Sequence, residues 1–159
     1  MQKLPLQIAF GAEGDYKPFA GDGWHPDDPG STYTWASHNA ILEMPIEPVN
    51  VDLTLELDVI PAPAEGVRQE LFVFVNGSFV AFFSASEAGA KTATLEARFF
   101  TEPRTIFTFV MPRAVRLSDR GQSSDHRLLG LAFRSITLAK VKPASKPAPR
   151  KRVAAAASP

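Results

Sequence analysis

From Val51 to Ile60 the chain alternates with a period of two. Val51, Leu53, Leu55, Leu57 and Val59 fall on one side, and Asp52, Thr54, Glu56 and Asp58 on the other. Successive strand side chains point to opposite faces, so this pattern predicts a strand with one buried and one solvated face and argues against a parallel sheet covered on both sides. The same period recurs upstream. Leu4, Leu6, Ile8 and Phe10 alternate with Pro5, Gln7 and Ala9, and Pro5, which cannot donate to a ladder, places that strand at an edge or Pro5 at its start. Tyr33 to Ala36 reads as a short strand, Ser37 to Asn39 as a turn, and Ala40, Leu42, Met44 and Ile46 as the buried side of another strand that Pro45 and Pro48 bring to an end.

Further along, Glu70 to Val75 and Ser78 to Ser84 flank Asn76-Gly77. This dipeptide readily takes the two positive φ values of a type I′ turn, which predicts a hairpin. Thr92 to Phe100 and Thr105 to Val110 are further strands separated by the turn-like Thr101 to Arg104; the first also has helix-compatible composition, and its β neighbours decide for strand. Arg127 to Val141 forms the last strand. Its apolar positions change parity between Phe133 and Ile136, as a bulge near Arg134 would produce. Two long polar segments, Gly11 to Ser31 and Met111 to His126, exceed the usual connection of roughly 4–6 residues. About eight strands, regular turn signals and no long helix predict an all-β fold, an antiparallel β-sandwich, and the two long connections favour a jelly-roll-like topology over an immunoglobulin-like one.

Composition adds scale. With 45% hydrophobic residues and 12 phenylalanines among 159, the chain can fill one substantial core, expected over residues 1–141. The formal charge of zero conceals an asymmetry: Lys140, Lys142, Lys146, Arg150, Lys151 and Arg152 concentrate at the end, leaving residues 1–139 with 11 basic against 17 acidic groups, a net of −6. Residues 142–159, rich in Pro, Ala and Lys, bury too little apolar surface to order themselves and read as a disordered basic tail. That tail carries no aromatic residue, so base stacking is not supported and nucleic acid is disfavoured as a partner. No apolar run reaches the roughly 18–20 residues of a membrane span, and the first residues lack the basic segment and apolar core of a secretion signal, which predicts no membrane insertion and a cytoplasmic chain. The absence of cysteine removes thiolate nucleophiles and cysteine-ligated zinc.

The stretch from Gly21 to Asn39 gathers the residues with chemistry to offer. Trp24, Tyr33 and Trp35 present flat apolar faces on which the C–H faces of pyranose rings stack, and His25, Asp27, Asp28, His38 and Asn39 are polar partners for hydroxyl groups. The competing reading is that Trp24 and Trp35 plug the end of the sandwich, because tryptophan is usually well buried. Asp22, His25, Asp27 and Asp28 have ligand types for Ca²⁺ but lack EF-hand spacing, and Asp-Pro-Gly and Asp-Gly pairs are ordinary turn chemistry; no metal or other cofactor is expected. Ser123, Ser124, Asp125 and His126 supply triad residue types without the Gly-x-Ser-x-Gly turn, so they read as a solvated loop, with Arg127 making a structural hydrogen bond or ion pair beside the last strand.

Gly23-Trp24, Trp35-Ala36-Ser37, Ala40-Ile41-Leu42, Val73-Phe74-Val75-Asn76-Gly77 and Asp125-His126-Arg127-Leu128-Leu129-Gly130-Leu131, in that order, resemble a jelly-roll β-sandwich module that accompanies bacterial glycosyltransferases and surface-polysaccharide proteins. The resemblance spans roughly residues 21–139. It implies a non-catalytic accessory domain that binds carbohydrate or serves polysaccharide biosynthesis, with a glycan or a polysaccharide-synthesis protein as partner. The chain departs from that pattern in carrying a basic tail and no attached transferase. The alternative is a structural or assembly protein that forms homo-oligomers or recruits a partner through its aromatic loop and tail.

Overall fold

In the computed structural model, which describes residues 1–142, eleven strands form the fold: β1 (Leu6–Ala9), β2 (Thr34–Trp35), β3 (Asn39–Met44), β4 (Leu53–Pro61), β5 (Glu70–Val75), β6 (Ser78–Ser84), β7 (Gly89–Leu95), β8 (Thr105–Val110), β9 (Val115–Arg116), β10 (Leu128–Leu129) and β11 (Leu131–Lys140). One sheet runs β1-β11-β4-β7, with β2 also paired to β11. The other runs β3-β8-β5-β6, and β9 and β10 make a separate two-stranded ladder. All these strand pairings are antiparallel. The fold is therefore the expected β-sandwich, with eleven strands rather than about eight. β2 is the short strand expected over Tyr33 to Ala36; β9, two residues long, is too short to show a period, and the expected last strand is divided into β10 and β11. The basic tail lies, from residue 143 on, outside the described residues, and among the described residues no helix is long and apolar enough to cross a membrane.

The alternation in β4 is realised side chain by side chain. Leu53, Leu55, Leu57 and Val59 are fully buried between the sheets, each contributing about 1.5–3 kcal/mol relative to exposure. Val51, expected on the same face, precedes the ladder and is 39% exposed, because pairing with β11 and β7 begins at Leu53. In β11 the register shifts between Phe133 and Ser135, as the parity change predicted. The extra residue restores Ile136 and Leu138 to the core beside Phe133 and leaves Arg134 free to reach Asp58 at 3.0 Å. The hairpin turns on Asn76 at φ 48° and Gly77 at φ 87°. The ambiguous segment is a strand that starts early, at Gly89, and ends at Leu95 before a 3₁₀ turn over Ala97–Phe99, which seats Phe100 in the core.

The two faces of the second sheet differ in an instructive way. Leu71, Val73, Val75, Phe107, Phe109, Ala40, Leu42 and Met44 point inward and are buried. On the outer face two rows run across the strands in register, Asn39, Val110, Phe72, Phe82 and then Ile41, Thr108, Phe74, Phe79.

Candidate functional site

The long segment after β1 closes one end of the sandwich by hydrogen bonding to both sheets. Gly21 donates to Ile41 O at 2.8 Å, Ile41 to Asp22 O at 3.0 Å, Ser37 to Gly23 O at 2.8 Å and His25 to Trp35 O at 2.9 Å. Gly23 lies where this strap crosses β3: its φ is +100°, and a Cβ there would fall 1.8 Å from Asn39 O, so only glycine fits. The strap thereby drives Trp24 inward. Its ring meets Phe10 and Phe133, each at 5.1 Å between centroids, and Tyr16 and Phe109 at 6.2 and 6.3 Å. Its indole N–H donates to Ile41 O at 2.8 Å. The indole is half-buried, and these contacts fill its core side.

Asp27 is also half-buried. The Tyr16 hydroxyl donates to Oδ2 and the Thr34 hydroxyl to Oδ1, both at 2.6 Å, while Gly11 N–H donates to Thr34 Oγ1 at 2.9 Å. The carboxylate is a tie between the strap, the loop after β1 and β2. Burial, and then the Asp27 carboxylate accepting its proton, push the Tyr16 phenol above its usual range. His38 and Asn39 are exposed at the start of β3, where Asn39 pairs with Val110 in the other sheet; His38 makes a side-chain contact with Ser37 Oγ at 3.3 Å. They do not join the other candidates.

Four of the expected residues do come together. Tyr33 stands edge-on to Trp35, with centroids 5.9 Å apart and planes at 84°. Trp35 in turn packs on the small core of Ala62, Ala64, Leu117 and Leu129. The His25 ring reaches Leu128 O at 2.7 Å, which fixes it beside the β10 segment. Next to it stands a pair whose binding potential the residue-by-residue reading missed: Arg127, whose Nε and Nη2 donate to Asp125 at 3.0 and 2.7 Å while its backbone N–H donates to Asp125 Oδ1 at 3.0 Å. The ion pair expected of Arg127 is thus present. Hydrogen bonds from the Arg127 side chain and backbone, ahead of the smaller pull of nearby His25, lower the Asp125 carboxyl to about 2. Arg127 is raised, mainly by Asp125, with further contributions from Asp28 and Tyr33. The Nη1 edge of the guanidinium is not used by Asp125. The signal available in sequence was the Asp-x-Arg spacing of the closing motif.

The residue types of a Ser-His-Asp triad are taken up in local contacts. His126 engages Ser118 at 3.0 Å, and Ser123 Oγ accepts the Asp125 N–H at 3.0 Å, so Ser123 and Ser124 have no histidine positioned as a base. Among the described residues no three His, Asp or Glu side chains converge as a cation cage. An exposed Asp28, the Tyr33–Trp35 pair and a guanidinium clamped at one edge form instead a half-apolar, half-charged surface at the end of the sandwich.

No family model matches the sequence, and no curated protein matches it. Solved structures match the fold. The chain is similar to the C-terminal family 6 carbohydrate-binding module of LamC, a laminarinase from the marine Zobellia galactanivorans, with 11% identity over 85% of this chain and 98% of the module and a TM-score of 0.50. It is also similar to a family 6 carbohydrate-binding module from Cellvibrio mixtus lichenase 5A solved with cellotriose, with 10% identity over 86% of this chain and 98% of that one and a TM-score of 0.51.

Proposed function

We propose that this domain is a non-catalytic carbohydrate-binding module whose glycan lies across Tyr33 and Trp35, with Asp28, His25 and Arg127 at its margin. The observation that carries the reading is the aromatic pair held beside the Asp125-clamped Arg127 at the strap end of the sandwich. A pyranose offers C–H faces to an aromatic ring and hydroxyls to charged groups, and this surface supplies both within one sugar's reach. The guanidinium loses little freedom on binding because Asp125 already holds it. The two carbohydrate-binding modules that share the fold support the class of ligand, and the sequence resemblance to modules accompanying bacterial glycosyltransferases supports service in a polysaccharide-producing system. Calorimetric titration of wild type and Tyr33→Ala with β-1,3- and β-1,4-linked gluco-, xylo- and manno-oligosaccharides tests it. At least one oligosaccharide should bind the wild type, and the variant should bind it tenfold or more weakly with an unchanged thermal transition. Binding unaffected by the substitution, or no binding to any member of the set, overturns the assignment.

A further inference from the structure

Three segments far apart in sequence border an open cavity of about 480 Å³ at the end of β4: the loop that follows Ile60, Ser86 and Ala88 from the connection between β6 and β7, and Gln122. That volume falls within the roughly 300–1,000 Å³ of small-ligand sites. The loop beneath it is held at many points. Pro61 and Pro63 each fix a φ, Ala62 N–H donates to Gly130 O at 3.3 Å, and Val67 N–H donates to Ala64 O at 3.1 Å. Arg120 Nη2 donates to Glu65 O at 2.6 Å and its Nε to Gln122 Oε1 at 3.0 Å, while Gln122 Nε2 donates to Pro63 O at 3.1 Å. A loop tied in this way has its shape before a ligand arrives, which lowers the cost of binding.

The cavity adjoins the aromatic pair. Ala62 and Ala64 line it and also belong to the small core on which Trp35 packs, and Val67 packs on that core as well. The two surfaces therefore meet at one loop.

The lining selects the chemistry of the occupant. Alanine and proline offer C–H surface without an aromatic ring. The Gln122 amide is engaged at both ends, which leaves the exposed Ser86 hydroxyl and the Glu65 carboxylate, and among the described residues no cation pairs with Glu65. Glu65 and its neighbour on the rim, Glu87 beside Ser86, repel an anion, and an apolar ligand would strip water from the carboxylate with nothing in return. A neutral polyol suits both parts: its C–H bonds cover the alanines, and adjacent hydroxyls donate to the two oxygens of one carboxylate. We propose that this cavity is a second subsite of the glycan surface, an extension that rests on the glycan reading above. The module then holds an internal run of a neutral polysaccharide, one sugar at Tyr33 and Trp35 and a later one against Ala62 and Ala64 with two hydroxyls on Glu65.

Calorimetry on the full chain with the di- and hexasaccharides of the β-1,3- and β-1,4-linked gluco-, xylo- and manno- series tests this. The wild type should bind one hexasaccharide about tenfold or more tightly than its disaccharide, beyond the few-fold gain that several equivalent registers provide. Glu65→Gln, which keeps the shape of the loop, and Ser86→Trp, which fills the cavity, should each weaken the hexasaccharide about tenfold and leave the disaccharide unchanged, with the thermal transition of the wild type. Should Ser86→Trp fail to fold, Glu65→Gln carries the test by itself. Tyr33→Ala should weaken both ligands. Equal affinity for the two lengths, or hexasaccharide binding untouched by Glu65→Gln, overturns the second subsite, and sensitivity to Tyr33→Ala in that case leaves the glycan reading standing. No binding by any member of the set overturns that reading and the subsite with it.

Discussion

Replacing Trp24 with alanine removes a ring that touches four other aromatic side chains, Phe10, Tyr16, Phe109 and Phe133. Trp-to-Ala in a packed core costs about 3–5 kcal/mol. The lost indole hydrogen bond adds little, because Ile41 O keeps the Gly21 N–H as a second donor, so about 1 kcal/mol is the right scale for that part. The expected total of about 4–6 kcal/mol corresponds to a fall in Tm of roughly 8–24 °C for a domain of this length. Trp24→Phe keeps most of the packing and should lose about 1–2 kcal/mol. Urea unfolding followed by circular dichroism measures both. A Trp24→Ala variant that loses less than about 1.5 kcal/mol, with an unchanged denaturant slope, refutes the placement of this ring as the plug between the sheets. The same pair separates the plug from a sugar platform: if Trp24 stacked on a glycan, Trp24→Phe would keep stability and lose affinity, the reverse of what the geometry predicts.

Asp27→Ala should cost about 2–3 kcal/mol in urea unfolding, since it strips the acceptor from both the Tyr16 and Thr34 hydroxyls; a loss below about 0.5 kcal/mol would show that the tie carries no stability. The Asp125 carboxyl is held at about 2 against an ordinary 3.8, so its pairing with Arg127 stabilises the fold above pH 4, and that contribution fades as the pH falls towards 2. Thermal transitions of wild type and Asp125→Asn should converge over that interval, and a difference that does not vary with pH would refute the pairing.

The elements that could be read from sequence are those whose signal is local. Asn76-Gly77 set the hairpin because its two residues accept positive φ, and the parity change before Ile136 located the bulge because inward apolar positions must stay inward. The site was harder. Trp24 and Trp35 sit in similar polar surroundings along the chain, yet one lies between the sheets and the other over a satellite core of Ala62, Ala64, Leu117 and Leu129. What separates them is the crossing of Gly23 over Asn39 O, a contact between residues 16 apart that no window of periodicity contains. His38 and Asn39 were grouped with Tyr33 by proximity in sequence, and the change of sheet between β2 and β3 parts them. Asp125 and Arg127 reached the site from the far end of the chain, through the Leu128 carbonyl that holds His25.

The outer aromatic face exposes a limit of a different kind. Leu71 to Val75 is an unbroken apolar run, and such a run ordinarily marks a strand covered on both sides. Here the aliphatic half, Leu71, Val73 and Val75, fills the core, and the bulkier half, Phe72 and Phe74, faces outward beside Phe79 and Phe82. Since β4, paired in the opposite sheet, alternates Leu with Thr, Glu and Asp, the chain is able to make a strand with a solvated outer face. It does not do so at β5 and β6. Four phenylalanines therefore share one outer face, where they pack on one another and not in the core.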